Sequence, residues 1–133
     1  MPDIVLCTLN ASYSHCSLAL RYLQANLGAL AERSVIRELL IGVKPGDAVE
    51  TLLADDPRIV GFGVYVWNVD QTLRVIKTLK AVRPDIDVVI GGPEVSYEHD
   101  GQEIVACADF VVPGEGELVF AELAQRLLTG RRP

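Results

Sequence analysis

Residues 59–68 read IVGFGVYVWN. The segment opens as a short apolar run rich in β-formers, which reads as a strand buried on both faces. It ends in Tyr65, Trp67 and Asn68, where a strand should give way to a loop, and Trp67 is the chain's single tryptophan. Arg58 to Val64 is therefore predicted as a central strand, with Asn68 capping a helix over residues 69–82.

The same alternation extends in both directions. Asp3 to Leu9 is a first strand, Asn10 to Ser14 a polar loop, and His15 to Glu32 one helix with Leu18, Leu20, Tyr22, Leu23, Leu27 and Leu30 at helical spacing. Ser34 to Leu40 is a second strand. Pro45-Gly46-Asp47 opens a short helix with Val49, Leu52 and Leu53 inward, and Asp56-Pro57 closes it. Pro84 stops the helix over residues 69–82. Ile86 to Ile90 is a fourth strand ending in Gly91-Gly92-Pro93, Glu94 to Cys107 is less regular, and Phe110 to Val112 is a fifth strand. Gly114-Glu115-Gly116-Glu117 leads into a last helix, Leu118 to Leu128.

Strands separated by helices need crossover connections, which favour a parallel sheet covered on both faces. The expected fold is α/β: a five-stranded parallel sheet, doubly wound and Rossmann-like, in the flavodoxin-like order 2-1-3-4-5. Residues 1–129 form one domain in this reading, and residues 130–133 a tail or the start of a linker to a catalytic domain.

Half of the 133 residues are apolar and the formal net charge is −6, which excludes a disordered segment and argues against nucleic-acid or anionic-membrane partners. No leader pattern is read at the amino terminus, and no stretch approaches the roughly 20 apolar residues of a membrane helix. A cytoplasmic protein is expected. Cys7, Cys16 and Cys107 form no disulfide framework, CxxC pair or zinc pattern, so no metal ligand is assigned. Cys7 and Cys107 read as packing residues. Cys16 and His15 would serve either as nucleophile and base or as two neighbours that point apart at a helix start.

Ligands of such sheets bind beyond the carboxyl ends of the strands, where the strand order reverses. Four loops meet there. The first carries Asn10, Ser12 and Tyr13, the second Tyr65, Val66, Trp67 and Asn68, the third Gly91, Gly92, Pro93 and Glu94, and the fourth Gly114, Glu115 and Gly116. Aromatic residues suit a large flat ligand, or Trp67 caps the core under a loop. The glycine pair lets backbone approach a bulky ligand, or makes a tight turn before Pro93. The two carboxylates of the fourth loop disfavour phosphate, although its backbone amides remain available to polar substituents.

The succession SLALRYLQANL, VGFGVYVWN, VVIGGPEVS and ADFVVPGEGE, over Ile4 to about Leu128, resembles the amino-terminal cobalamin-binding domain of radical SAM enzymes. Gly91-Gly92 matches the glycine pair that this family carries after its fourth strand. Gly63-Val64-Tyr65 or Val64-Tyr65-Val66 stands where Ser-x-Leu falls. Asp-x-His-x-x-Gly is absent. The resemblance therefore implies cobalamin held with its own base displaced and no protein histidine on cobalt, its lower face toward Tyr65, Trp67 and Asn68. Gly92→Leu is expected to block corrin entry with little effect on folding.

The resemblance further implies a radical SAM catalytic domain, in cis or in trans, as partner. That domain would supply the CxxxCxxC cysteines for a 4Fe-4S cluster, and the site for S-adenosylmethionine, that the three cysteines of this chain cannot. This chain would not be catalytic alone. The whole enzyme would cleave S-adenosylmethionine reductively, as a methyltransferase working through methylcobalamin or as a ring-forming cyclase. Two alternatives stay open: a flavodoxin-like FMN module with Trp67 and Tyr97 on the flavin, and a cofactor-free domain that recruits substrate or partner.

Overall fold

β1 (Ile4–Asn10) is buried along its whole length because it lies inside the sheet, with parallel neighbours β2 (Ser34–Leu40) and β3 (Ile59–Gly63). β4 (Asp87–Gly91) pairs with β3, and β5 (Phe110–Val112) with β4, again in parallel. The sheet order is β2-β1-β3-β4-β5, as expected. The computed structural model describes residues 2–10, 18–65, 68–92, 103–112 and 117–130.

Five α-helices link or follow these strands in the described residues: α1 (Leu18–Ala25), α2 (Pro45–Leu53), α3 (Val69–Val82), α4 (Glu103–Cys107) and α5 (Glu117–Leu128). Alternation along β1 sorts them into two layers. Val5, Cys7 and Leu9 join Val60, Phe62, Val88 and Ile90 under α2, α3 and α4, which contribute Leu52, Val75, Ile76, Leu79 and Ile104. Ile4 and Leu6 join Ile59, Val89 and Val112 on the opposite face, under Leu20 of α1 and Phe120, Ala124 and Leu127 of α5.

The first helix departs from expectation. The periodicity from Leu18 to Leu30 predicts one helix, but α1 ends at Ala25 and a 3-10 segment follows over Gly28–Arg33. Gly28 adopts φ +63°, a left-handed conformation that terminates a helix. The Asn26 side-chain amide donates to the Tyr22 carbonyl at 2.9 Å and helps satisfy that end. Tyr22, read as inward, is 60% exposed. The strand ends also shift. β1 runs to Asn10 rather than Leu9, β3 stops at Gly63, and β4 reaches Gly91.

Ion pairs gather at the amino ends of the strands. Arg33 Nε meets Asp3 Oδ2 at 2.6 Å, and Arg83 bridges Asp56 and Asp85. Asp109 Oδ2 accepts from Val88 N at 2.7 Å and from Lys80 Nζ at 2.8 Å. Arg58, which leads into β3, donates to the carbonyls of Leu127 and Leu128 at the last turn of α5. The carboxyl ends of the strands are built differently.

Candidate functional site

Register explains what is unusual about the carboxyl end of the sheet. On the face toward α1 and α5, Ile36, Leu6, Gly61, Val89 and Phe110 stand side by side across the five strands. A Cβ at Gly61 would lie 3.2 Å from Leu6 Cδ2 and 3.5 Å from the Phe120 ring, so helix α5 fills the space over that glycine. Two residues further along is a second row: Glu38, Thr8, Gly63, Gly91 and Val112. Its centre is one threonine and two glycines, and the packing changes accordingly.

The three atoms nearest a Cβ at Gly63 come from Tyr65, at 3.3 Å, and Thr8, at 3.6 and 3.7 Å. For Gly91, the Val112 carbonyl oxygen at 3.2 Å is the single contact within 4 Å among the described residues. The row is thus a partly buried strip of sheet with little side chain of its own at the centre, between apolar packing below and the loops beyond. Such a strip admits a flat group that side chains would exclude.

Gly92 closes one end of this strip. Its φ is +116°, and a Cβ there would fall 2.4 Å from the Val64 carbonyl oxygen and 3.0 Å from the Val64 nitrogen. Val64 N donates to Gly91 O at 2.7 Å, so the chain after β3 and the end of β4 stay in close register beyond the last strand residue. The expectation that Gly92→Leu spares folding is corrected here. Any side chain at this position collides with backbone, whereas a Cβ at Gly91 would make one tight contact, with the Val112 carbonyl oxygen at 3.2 Å.

Asn68 sits at the start of α3, but its side chain does not cap that helix. It is 1% exposed and turned into the point where β1 and β3 diverge. Its amide Nδ2 donates to Leu9 O at 3.1 Å and Gly63 O at 3.3 Å, with Thr8 Oγ1 at 3.4 Å. Its Oδ1 accepts from Tyr65 N at 2.9 Å. The expected cap is therefore an internal clip that fixes the backbone of the second loop. The side chain turns away from the helix end because a carboxamide with two carbonyls and one N–H in reach satisfies more buried groups inward.

Asn10 is also buried, and its Nδ2 lies 3.4 Å from Glu38 Oε1, which Arg21 of α1 engages through Oε2 at 3.1 Å. Of the sequence-derived candidates, Asn10, Tyr65, Asn68, Gly91 and Gly92 come together at the carboxyl ends of β1, β3 and β4. Ser12, Tyr13, Val66, Trp67, Pro93, Glu94, Gly114, Glu115 and Gly116 lie outside the described residues, as do His15 and Cys16. Thr8 and Glu38 escape the sequence reading of the site, and Gly63 enters it only through Gly63-Val64-Tyr65 at the Ser-x-Leu position. The spacing Gly61-x-Gly63 carries a usable signal, since residues two apart in a strand share a face.

Among the described residues no group of three or more His, Cys, Asp or Glu is placed to hold a metal ion, and no helix is long and apolar enough to cross a membrane. Cys7 packs in the core, where burial pushes its thiol up to about 12.

The doubly wound parallel sheet, with glycines beside its switch point, is of the flavodoxin-like class, whose ligands bind at that point. The family profile of the B12 binding domain matches residues 4–124, and the chain belongs to that family. Cobalamin is accordingly the cofactor of this domain, and the flavin alternative gains no support.

Two curated relatives are methyltransferases by name. An uncharacterized methyltransferase of Pyrococcus horikoshii is 31% identical over 115 residues, 86% of this chain and 25% of that protein. The cobalamin-dependent radical SAM methyltransferase TokK of Streptomyces tokunonensis is 36% identical over 70 residues, 51% of this chain and 10% of that protein. The chain thus spans a quarter or less of the length of these relatives. Among solved structures, a cobalamin-binding protein from Desulfitobacterium hafniense superposes with a TM-score of 0.69 at 22% identity, covering 95% of this chain and 58% of that one. The cobalamin-dependent S-adenosylmethionine radical enzyme OxsB, with aqua-cobalamin bound, gives 0.75 at 15% identity, covering 100% of this chain and 19% of that one. Both likenesses concern the fold.

Proposed function

We propose that this chain holds cobalamin in the base-off form, with no protein histidine on cobalt, as the corrinoid module of a radical SAM methyltransferase. The observation that carries the reading is the strip Thr8–Gly63–Gly91. A base displaced from cobalt is a flat aromatic group on a nucleotide tail, and it needs a narrow slot beside the sheet. The strip offers sheet backbone whose own central side chains are one threonine and two glycines, next to an apolar floor that includes Leu6 and Phe120, with the Tyr65 ring over Gly63.

The chain's own residues divide the work. Gly91 and Gly92 admit the ligand close to backbone, and Asn68 anchors the loop that carries Val66 and Trp67 toward the corrin, with Tyr65 beside them over Gly63. Asn10, Ser12 and Tyr13 of the first loop, Pro93 and Glu94 of the third, and the backbone of Gly114, Glu115 and Gly116 reach the polar periphery. When bound, the corrin supplies a cobalt centre that accepts and hands on a methyl group; the domain supplies orientation and exclusion of water.

A radical SAM catalytic domain, in cis or in trans, would hold the 4Fe-4S cluster and S-adenosylmethionine. The names of the relatives support methyl transfer rather than ring formation. The test is titration with hydroxocobalamin and with methylcobalamin, followed by the visible spectrum after desalting. A retained chromophore with base-off absorbance is expected. A base-on spectrum, or histidine-type ligation removed by His15→Ala, would overturn the reading.

A further inference from the structure

We infer that Tyr65 sets which corrinoids this domain accepts, because its ring occupies the part of the strip over Gly63 that a nucleotide tail must enter. The inference rests on the base-off reading and adds to it a residue that discriminates between corrinoids with and without a tail.

Side chains two apart along a strand point to the same face and stand side by side. Tyr65 instead lies back over its neighbour, with Cε2 3.3 Å from where a Gly63 Cβ would be, and Thr8 flanks the same spot. A Cβ at residue 63 would press on the ring, so glycine there gives the ring its place. The ring thus takes the place of a side chain that the sheet lacks there.

The backbone beneath the ring is fixed. Tyr65 N donates to Asn68 Oδ1, and Asn68 is anchored on Leu9 and Gly63. Clearing the strip is therefore a rotation about the Tyr65 side-chain bonds and leaves the loop in place. A phenol and the aromatic base of a tail have similar width and thickness, so the two compete for one slot. A tail-less corrinoid has no group to place there and does not meet the ring.

Competition of this kind reduces apparent affinity by the fraction of time the slot is open. If the ring is out about one-tenth of the time, removing it tightens binding of a tailed corrinoid about tenfold. The probes are hydroxocobalamin and dicyanocobinamide, titrated into the wild-type chain, Tyr65→Ala and Tyr65→Phe. Tyr65→Ala is expected to bind hydroxocobalamin several-fold more tightly while dicyanocobinamide gains nothing, and Tyr65→Phe to restore the wild-type discrimination. Weaker hydroxocobalamin binding by Tyr65→Ala would make the ring a stacking contact and overturn the inference, as would an equal gain for both ligands.

A ligand-free measurement separates this inference from the reading beneath it. Ring-current shifts of the Gly63 α-protons by NMR should be present in the wild type and Tyr65→Phe and absent in Tyr65→Ala. If Gly63 shows no such shift, the assignment of Tyr65 fails even where cobalamin binds base-off. If the shift is present and neither corrinoid binds, the functional reading fails and the selectivity falls with it.

Discussion

The Asn68 carboxamide donates to the Leu9 carbonyl at 3.1 Å across 59 residues of sequence, joining the start of α3 to the end of β1. The bond lies where the two central strands part. It ties Tyr65 and Asn68, on either side of residues 66–67, to the ends of β1 and β3.

Asn68→Ala removes this clip and leaves buried groups without partners. A loss of about 2–3 kcal/mol is expected, since each unsatisfied buried group costs on the order of 1–3 kcal/mol. Urea denaturation should show a lower midpoint with unchanged slope. Cobalamin retention should fall as well, because the segment that leads to Trp67 loses its anchor on β1 and β3.

Gly91 and Gly92 are adjacent but should behave differently. Gly91→Ala meets one carbonyl oxygen at 3.2 Å, so the fold should survive with a loss of about 1 kcal/mol while the strip narrows and cobalamin binding weakens. Gly92→Ala forces a Cβ onto Val64 at a left-handed φ, and a loss of about 2–4 kcal/mol is expected. Thermal melts beside binding isotherms separate the two.

At the amino ends of the strands, Asp109→Ala orphans the Val88 N–H and removes one partner of the Lys80 ammonium, which keeps the carbonyls of Pro84 and Ile86. It should lower stability by about 1–2 kcal/mol and leave cobalamin affinity intact, measured by denaturation and titration on one preparation.

The Cys7 thiol is raised to about 12 by burial, so the folded state favours its protonated form. Its raised folded value means that full stability holds below the ordinary thiol range and is lost as pH climbs from about 9 toward 12. Native protein at pH 8 should resist alkylation by iodoacetamide at Cys7 and react there only when unfolded, as read by mass spectrometry. Cys107, half-buried, should be modified before Cys7.

Trp67→Ala should weaken hydroxocobalamin retention about tenfold, the loss of one aromatic contact, and His15→Ala should weaken it less. The reverse order in a titration would make His15 the axial ligand.

The parts of the fold legible in the sequence are those set by local pattern. β2, α3 and β5 run over the predicted residues, since Ser34, Asn68 and Pro84 punctuate them from nearby. The break after α1 was hidden because Leu27 and Leu30 continue the apolar spacing through the 3-10 segment and bury against the same core. The glycine pair of the site was readable as a motif. Thr8 was not: inside an apolar run it reads as strand filler, and only alignment with Gly63 and Gly91 gives it meaning. The inward turn of Asn68 depends on carbonyls far away in sequence, so local reasoning returned a helix cap.

The strand order also dictates when the molecule can assemble. β1 is made first yet lies inside the sheet, and its contact from Thr8 to Gly63 closes 55 residues of chain. During synthesis the first strand has no edge to pair with until β2 emerges, and its second edge stays open until β3 arrives. Pairings this distant in sequence fold slowly, because loop closure precedes the contacts that reward it. Arg58 and Leu128, 70 residues apart, join the last helix to the sheet only when nearly all of this chain is present. The row Thr8–Gly63–Gly91 is thus a late product of folding, and a nascent chain halted before β4 would carry an unpaired, apolar strand edge and an incomplete row.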